Sequence, residues 1–493
     1  MTAWLDEDAV ARAADRLVAA LRRRGCAAGD RVAVFAGNGA AFVAARDAAT
    51  RLGLVLAPIN PRLAPPEIAW ILGHARPRAI LVEATRRAEL AVLVRDPDTL
   101  LVVEVTTSGW QAGASPPVPE SVGVSLSAAQ IGATLLYTSG TKGTPKGCVR
   151  SAEQEAARAR ELVASYGLGA GDVHLIACPL AHSAPGIFLR AGRAVGARTA
   201  IMDRFTADGF VAAVEAHRAT VCFLVPTQLE RLLALAPEVR AAGSLASLRA
   251  VIVAGAPCSP RLKERVLDWL GEGRLWELYG SSETGTITVL PPGEQRARPG
   301  SVGQPVPGVS LRLLDEAGAA VSPGATGEIY VSAPTVMAGY LDQGSDVVSR
   351  PGERDGHISV GDLGHLDGDG FLHLVDRKHD TIISGGMNVY PAEVERALSA
   401  HPDLGGAVVV GVADEDWGQV VAAVVAPIPG RPLAAIADDR ATLVGALRAF
   451  LHGRIADYKH PRVARAVPID ELPIGASGKP QRRHARALLD RDG

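Results

Sequence analysis

Short apolar runs rich in β-branched residues alternate with segments of helical periodicity through the first half of the chain, which confines it to folds built around parallel sheets. Residues 6–24 set Val10, Ala14, Leu17, Val18 and Leu21 on one helical face, and Gly25 supplies a stop. RVAVF at residues 31–35 reads as a strand, and an alanine-rich helix follows at about 40–52. Further strands fall at 54–58, 79–83 and 100–105, with a helix at 65–72 among them. Elements in this order pack as a largely parallel sheet covered on both faces. Residues 108–128, richer in Gly, Ser and Pro, read as a surface connection.

An apolar strand at 131–136 runs into YTSGTKGTPKG at residues 137–147. Thr138, Ser139, Thr141 and Thr144 supply hydroxyl donors, Lys142 and Lys146 supply charge, and Gly140, Gly143 and Gly147 let backbone N–H groups turn onto an anion. Such a loop can wrap phosphates. It is not the Walker pattern, because no Gly-Lys-Ser/Thr follows at the required spacing, and taken alone a polar surface turn reads the same way.

Later strands end in chemically marked turns. After a helix at 152–166, residues 174–186 read as a strand running into a loop, with His182 at the strand end among Ser183, Ala184 and Gly186. Ligands of open α/β sheets bind beyond the carboxyl ends of strands. Residues 219–233 give a strand, a Pro-Thr turn and a helix, and 248–260 a strand ending in Gly255, Ala256 and Pro257, small residues that let a flat ring approach the backbone. In RLWELYGSSETG, residues 274–285, Glu283 stands beside Ser281, Ser282 and Thr284 as an oxygen ligand suited to Mg²⁺, and Tyr279 can stack on a base.

Short strands without long helices between them follow the turn-rich residues 291–303 and suggest a small β-rich subdomain. Within 361–380, Asp362, read as lying in a turn, can pair with vicinal hydroxyls, and Arg377 can address the same sugar or a phosphate. Solvated turn charges would look alike. From about residue 381 a small α+β unit of the βαββα kind begins, with a helix at 441–451. It ends in a Gly-Ala-Ser-Gly-Lys loop that can carry Lys479 to a site or withdraw it.

A chain of 493 residues calls for two to four domains. With 51 basic and 53 acidic residues, net charge -2, nothing invites a nucleic acid or an anionic membrane, so small molecules or proteins are the expected partners. Cys26, Cys148, Cys178, Cys222 and Cys258 are scattered without metal-ligand spacing, which fits reduced thiols in the cytoplasm. No apolar run is long enough to span a bilayer.

YTSGTKGTPKG, PLAH, AGAPCS, YGSSETG, GDLGHLD, DRKHDTIISGG and SGKPQRR, in that order over nearly the whole chain, resemble the motifs of the adenylate-forming superfamily. That group holds acyl-CoA synthetases, aryl-CoA ligases, firefly luciferase and peptide-synthetase adenylation domains, and the chain is most similar to an acid:CoA ligase. The resemblance implies an α/β fold with a large N-terminal domain of mostly parallel sheets plus a β-rich subdomain, residues 1–376. A mobile α+β domain, 377–493, would turn on a hinge at 376–380.

It also implies roles. Thr138, Ser139, Gly140, Thr141, Lys142, Gly143 and Lys146 would hold the phosphates of ATP, and Glu283 with Thr141 the Mg²⁺. Gly255, Ala256, Pro257, Glu277, Leu278, Tyr279, Gly280 and Ser282 would surround adenine, with Asp362 and Arg377 on the ribose. Lys479 would bridge the acid and the α-phosphate, forming a catalytic set with His182 and Glu283. Ser384, Gly385 and Gly386 would line a tunnel for the pantetheine of CoA, with Trp417 near the bound CoA. The acid pocket would draw on His182, Ser183, Ala184, Gly186, Phe223, Val225, Glu277, Leu278 and Thr286.

Several positions depart from the family pattern: Lys142 and Ser282 replace the usual threonines, Ala181 replaces a common aromatic, and His379 stands at the hinge where aspartate or lysine is usual. The family's opening strand region reads as missing, which would expose apolar surface or favour a homodimer. The implied activity is ATP-dependent formation of an acyl-adenylate and its transfer to CoA. No basic residue except His182 stands among the pocket candidates and no acidic residue opens PLAHSAPG, so the acid is expected to be an aryl or short-to-medium aliphatic monocarboxylate. No extra segment stands between Glu328 and Asp362, which favours CoA. Two alternatives remain open: transfer to a carrier-protein thiol or another nucleophile such as an amine or nitrite, and a degenerate nucleotide-binding protein. The joint presence of Lys146, Glu283, Asp362, Arg377 and Lys479 argues against the last.

Overall fold

The computed structural model describes residues 2–63, 65–94, 100–103, 132–138, 145–241, 245–344, 348–350, 352–378, 380–384, 387–414, 417–475 and 478–490. The expected connection at 108–128, the loop residues Ser139, Gly140, Thr141, Lys142 and Gly143, the hinge residue His379, and Gly385 and Gly386 lie outside the described residues.

Two large sheets form the body. In one, Val348–Ser349, Gly339–Leu341, Lys146–Arg150, Ala133–Thr138, Val55–Ile59, Arg31–Phe35, Ala79–Glu83 and Leu100–Val103 lie side by side. Its centre is parallel, and Lys146–Arg150 pairs antiparallel with Ala133–Thr138. The other sheet runs Thr2–Trp4, Arg198–Met202, Val173–Ile176, Val221–Leu224, Ala250–Val253, Leu275–Ser281, Gly285–Leu290 and Gln304–Pro305. Helices Glu7–Arg23 and Ala40–Arg51 pack against both sheets in one apolar cluster that includes Val34, Leu56, Ile176 and Ile201. The second helix is buried along most of its length, and its alanines let the backbone lie close to its neighbours. Asp6 caps the first helix, its carboxylate accepting from Ala9 N at 2.9 Å.

A third sheet, Ser310–Leu314, Gly327–Ser332, Ile358–Leu366 and Leu372–Arg377, is antiparallel throughout. The C-terminal unit has its own sheet, in which Leu404–Asp414 and Gly418–Pro427 form the central hairpin and Val463–Ala466 joins in parallel. Val409, Val421 and Val425 face one apolar cluster and Val408, Val410 and Val424 another, so both faces are covered. That explains why these strands read as unbroken apolar runs.

A short strand, Thr2–Trp4, precedes the first helix and pairs antiparallel with Arg198–Met202, and Arg198 lies 3.9 Å over the Trp4 ring. A strand this short leaves no periodic signal. Two expectations need correction. Residues 174–186 do run from a strand, Val173–Ile176, into a loop, but the loop stops at His182 and helix Ser183–Ala194 begins directly after it. Asp362 lies within strand Ile358–Leu366 and not in a turn. Among the described residues no helix is long and apolar enough to cross a membrane.

Candidate active site

Tyr137 and Thr138 close the strand before the glycine-rich loop, and Lys146 opens the returning one, with Thr138 and Lys146 paired in register. Both ends of the loop are thereby fixed to a sheet. The pairing also aims Thr138 at Glu283, whose Oε1 accepts from the Thr138 hydroxyl at 3.1 Å. A second hydroxyl, that of Tyr340 on the adjoining strand Gly339–Leu341, donates to the same oxygen at 2.9 Å. The Lys146 ammonium lies 5.0 Å over the Tyr340 ring. Glu283 is itself buried, in a turn closed by Ser281, whose Oγ accepts from Glu283 N and Thr284 N at 3.1 Å. Arg150 Nε donates to the Ser282 carbonyl at 2.7 Å from behind. Oε1 is thus occupied by two donors. One buried, preorganised carboxylate beside a phosphate loop suits Mg²⁺, which takes one or two carboxylates and leaves its other positions to phosphates and water.

The turn is possible only with glycine at 280, where an added Cβ would fall 2.1 Å from the Gly285 carbonyl oxygen. The strand that carries it also presents Tyr279, whose hydroxyl donates to Asp362 Oδ2 at 2.8 Å. Burial and Asp362 push the Tyr279 pKa well up, so the phenol stays protonated. Asp362 and Arg377 are direct partners across the strand pair, with Arg377 Nε 3.1 Å from Asp362 Oδ1. Gly255, Ala256 and Pro257 keep solvent access at the end of strand Ala250–Val253.

Lys479 reaches this cluster from the C-terminal unit. Gly478, in a left-handed conformation (φ 78), sets the loop so that an added Cβ would stand 3.2 Å from the Thr227 methyl and 3.7 Å from the Ala256 Cβ. Lys479 is an exposed residue, and the desolvation acts on its ammonium. Burial pushes its pKa down, Arg377 adds to that shift, and Glu283 and Asp362 oppose it. His182, held at the N-terminus of its helix, is kept neutral by burial and by Lys479 and Arg62. Asn60 Nδ2 stands 3.5 Å from His182 Nε2. Arg482, one turn past Lys479, meets Asp380 at 3.1 Å and Glu395 at 2.5 Å, and lies 3.9 Å from Asp376, which joins the lysine segment to the hinge.

Lys146, Thr138, Glu283, Tyr279, Asp362, Arg377, His182 and Lys479 therefore converge. Glu277 does not present a free charge to them, since its carboxylate is spent in a buried ion pair with Lys263. Its pKa is raised by burial against the pull of Lys263. Ala184, Val225 and Leu278 share one apolar cluster, with Phe223 buried in it. Thr286 is buried opposite Gly280, and Gly186 lies in helix Ser183–Ala194. Ser384 stands on the C-terminal sheet and Trp417 in the turn before strand Gly418–Pro427, and among the described residues no contact joins them to the cluster. Ser384 is buried, while Trp417 is exposed with Arg462 3.9 Å over its ring. Tyr340, Asn60, Thr227 and Arg158 escaped the sequence reading. Arg158 Nη2 donates to Ser183 Oγ at 2.9 Å, so a basic side chain does reach the acid-pocket candidates. Nothing local marks any of the four.

A buried carboxylate beside the strands that flank the glycine-rich loop, a tyrosine–aspartate–arginine cluster and a lysine from a second unit thus stand near one another. Residues 4–341 match the family described as AMP-binding enzyme, and residues 393–479 match the AMP-binding enzyme C-terminal domain. The chain belongs to this family and is an AMP-forming, ATP-binding ligase. It is similar to the indoleacetate–CoA ligase of Aromatoleum aromaticum, 36% identical over 493 residues, covering 97% of this chain and 92% of that protein. The amide bond synthetase McbA of Marinactinospora thermotolerans has a similar structure, with TM-score 0.81 and 30% identity, covering 97% of this chain and 94% of the other. So does the O-succinylbenzoate coenzyme A synthetase of Bacillus subtilis in complex with ATP and magnesium ion, with TM-score 0.77 and 28% identity, covering 97% and 93%.

Proposed function

We propose that this protein activates an aryl or short-to-medium aliphatic monocarboxylic acid with ATP, releasing pyrophosphate, and passes the acyl group to the thiol of CoA. The observation that carries the first step is the lysine loop packed on Thr227 and Ala256, which brings Lys479 within electrostatic reach of Arg377, Glu283 and Asp362. A carboxylate attacking the α-phosphate brings two anions together, and a preorganised cation there stabilises the charge that develops. Lys146 and the loop hydroxyls would hold the phosphates, Asp362 the ribose hydroxyls and Glu283 a Mg²⁺ ion. When bound, that ion would neutralise phosphate charge. Neutral His182 would close the acid pocket and help exclude water from the mixed anhydride.

Lys479 serves the adenylation step from this position, so the second step would call for the C-terminal unit to turn about residues 376–380. Ser384, Gly385, Gly386 and Trp417 would then serve CoA. Two CoA ligases among the similar proteins support that acceptor. The likeness to an amide bond synthetase keeps an amine acceptor as the second reading. Five free, buried cysteines suit a reducing compartment such as the cytoplasm.

Pyrophosphate release from ATP and Mg²⁺ should be measured across aryl, fatty and amino acids with and without CoA, with products read by mass. An acyl-CoA confirms the proposal. Pyrophosphate without a thioester, or an amide when amine is supplied, overturns the CoA acceptor.

A further inference from the structure

The acid-pocket candidates Ala184, Val225 and Leu278 are only partly buried, and they pack in the same cluster as Leu162 and Tyr166 of helix Ala152–Tyr166. That helix therefore packs directly behind the acid-pocket candidates. Arg158 ties it to Ser183 next to His182. One turn further on stands Glu161, against the Thr286 hydroxyl that faces Gly280 on the neighbouring strand.

Two polar atoms on this helix lack a hydrogen-bond partner among the described residues. Glu161 Oε1 accepts from Ser165 Oγ at 2.8 Å, but its buried Oε2 has no donor within hydrogen-bond distance there. Tyr166 is only 2% exposed, and its hydroxyl is likewise unpaired among the described residues. Its ring is wedged against Phe188 and Trp276 at 5.7 and 5.3 Å between centroids, so it cannot swing out to water. Burying such groups unpaired carries a desolvation cost that a hydrogen-bonding ligand would relieve. Burial pushes the Glu161 pKa up and Thr286, Ser165 and Arg158 offset only part of that rise; as a carboxylate its free oxygen accepts and does not donate.

We propose that Glu161 and Tyr166 form a polar subsite at the far end of the acid pocket, which takes an aromatic acid carrying a hydrogen-bond donor, a phenolic O–H or a ring N–H, on the end remote from its carboxyl group. Glu161 Oε2 accepts that donor, and a phenolic oxygen would in turn accept from Tyr166. An ether or an unsubstituted ring leaves both protein groups unpaired, so the site rejects it. This rests on the aryl-acid reading above.

The test compares kcat/KM within matched sets: a hydroxyphenylalkanoic acid, its methyl ether and the unsubstituted acid, and indole-3-acetic acid with its 1-methyl derivative. The donor-bearing acid should be favoured at least about tenfold in the wild type, as expected when a site is built to hold a hydrogen-bonding group. In Glu161→Leu that ratio should fall towards one. Glu161→Gln carries the test if the leucine variant folds poorly, because Ser165 would hold the amide oxygen and turn its NH₂ towards the donor. Tyr166→Phe should weaken the preference for the phenol more than that for the ring N–H. A wild-type ratio near one, or one that survives both substitutions at Glu161, overturns the subsite. Turnover of aliphatic acids with none of any aryl acid instead overturns the aryl-acid reading, and the subsite with it.

Discussion

Replacing Tyr340 by phenylalanine removes one hydroxyl and leaves the ring under Lys146. The lost bond is the 2.9 Å donation to Glu283 Oε1, a charge-assisted contact on a carboxylate only 8% exposed. Hydrogen bonds to charged groups are worth roughly 1.5–3 kcal/mol. Thr138 still donates to the same oxygen at 3.1 Å, so the low end applies, about 1.5 kcal/mol and about a tenfold effect. The apparent affinity for Mg²⁺ in the presence of ATP, followed by calorimetry, should fall by that factor. In pyrophosphate exchange kcat/KM for Mg-ATP should drop alongside it, while KM for the acid stays put. Unfolding free energy should change little. Adding Thr138→Val should cost more than the sum of the single changes, because Glu283 then loses both donors. Wild-type metal affinity in Tyr340→Phe, or an equal rise in KM for the acid, would refute the positioning of Glu283 by Tyr340.

Lys479→Ala should reduce acyl-adenylate formation by about 10²–10³, as loss of a preorganised charge does, while sparing thioester formation from supplied acyl-adenylate. Parallel loss of both half-reactions contradicts the role given to it. Gly478→Ala adds a Cβ 3.2 Å from Thr227 to a left-handed residue, a strain of about 1–2 kcal/mol. Stopped-flow measurements should show the first half-reaction slowed and the second not. Glu155→Ala would strand Arg158 and Arg190, which meet the carboxylate at 3.2 and 2.8 Å in the interior. Denaturant titration should show a loss of about 3–5 kcal/mol. Burial alone would raise the Glu155 pKa, but Arg190, Arg158, Arg150 and Thr134 hold it at about 2 against an ordinary 4.5. Its stabilisation is thus complete above pH 4.5 and lost as pH falls towards 2. Wild-type stability should show this acid dependence, and Glu155→Ala should show less of it.

The glycine-rich, SSETG and lysine motifs stood out in the sequence because each packs its chemistry into consecutive residues. The alternation of strand and helix was likewise written locally, in spacing that any strand or helix must obey. Other features were misread where local signals compete. Pro185 in a helix's first turn looked like a loop, and Asp362 among glycines looked like a turn although it is paired in a strand. Lys142 and His379 depart from the family pattern outside the described residues.

The sequence by itself determined the class of fold, the order of the motifs and the residues able to hold a nucleotide, since periodicity and motif chemistry depend only on near neighbours in the chain. Tertiary structure decided which of them act together. Strand Gly339–Leu341 pairs with Lys146–Arg150, which puts Tyr340 on Glu283. Helix Ala152–Tyr166 packs behind Ser183 and Thr286, which brings Arg158 to the first and Glu161 to the second. The C-terminal unit sets Lys479 beside Arg377. Each of these contacts joins residues remote in the chain and depends on how sheets and helices stack, and local residue spacing carries no record of that.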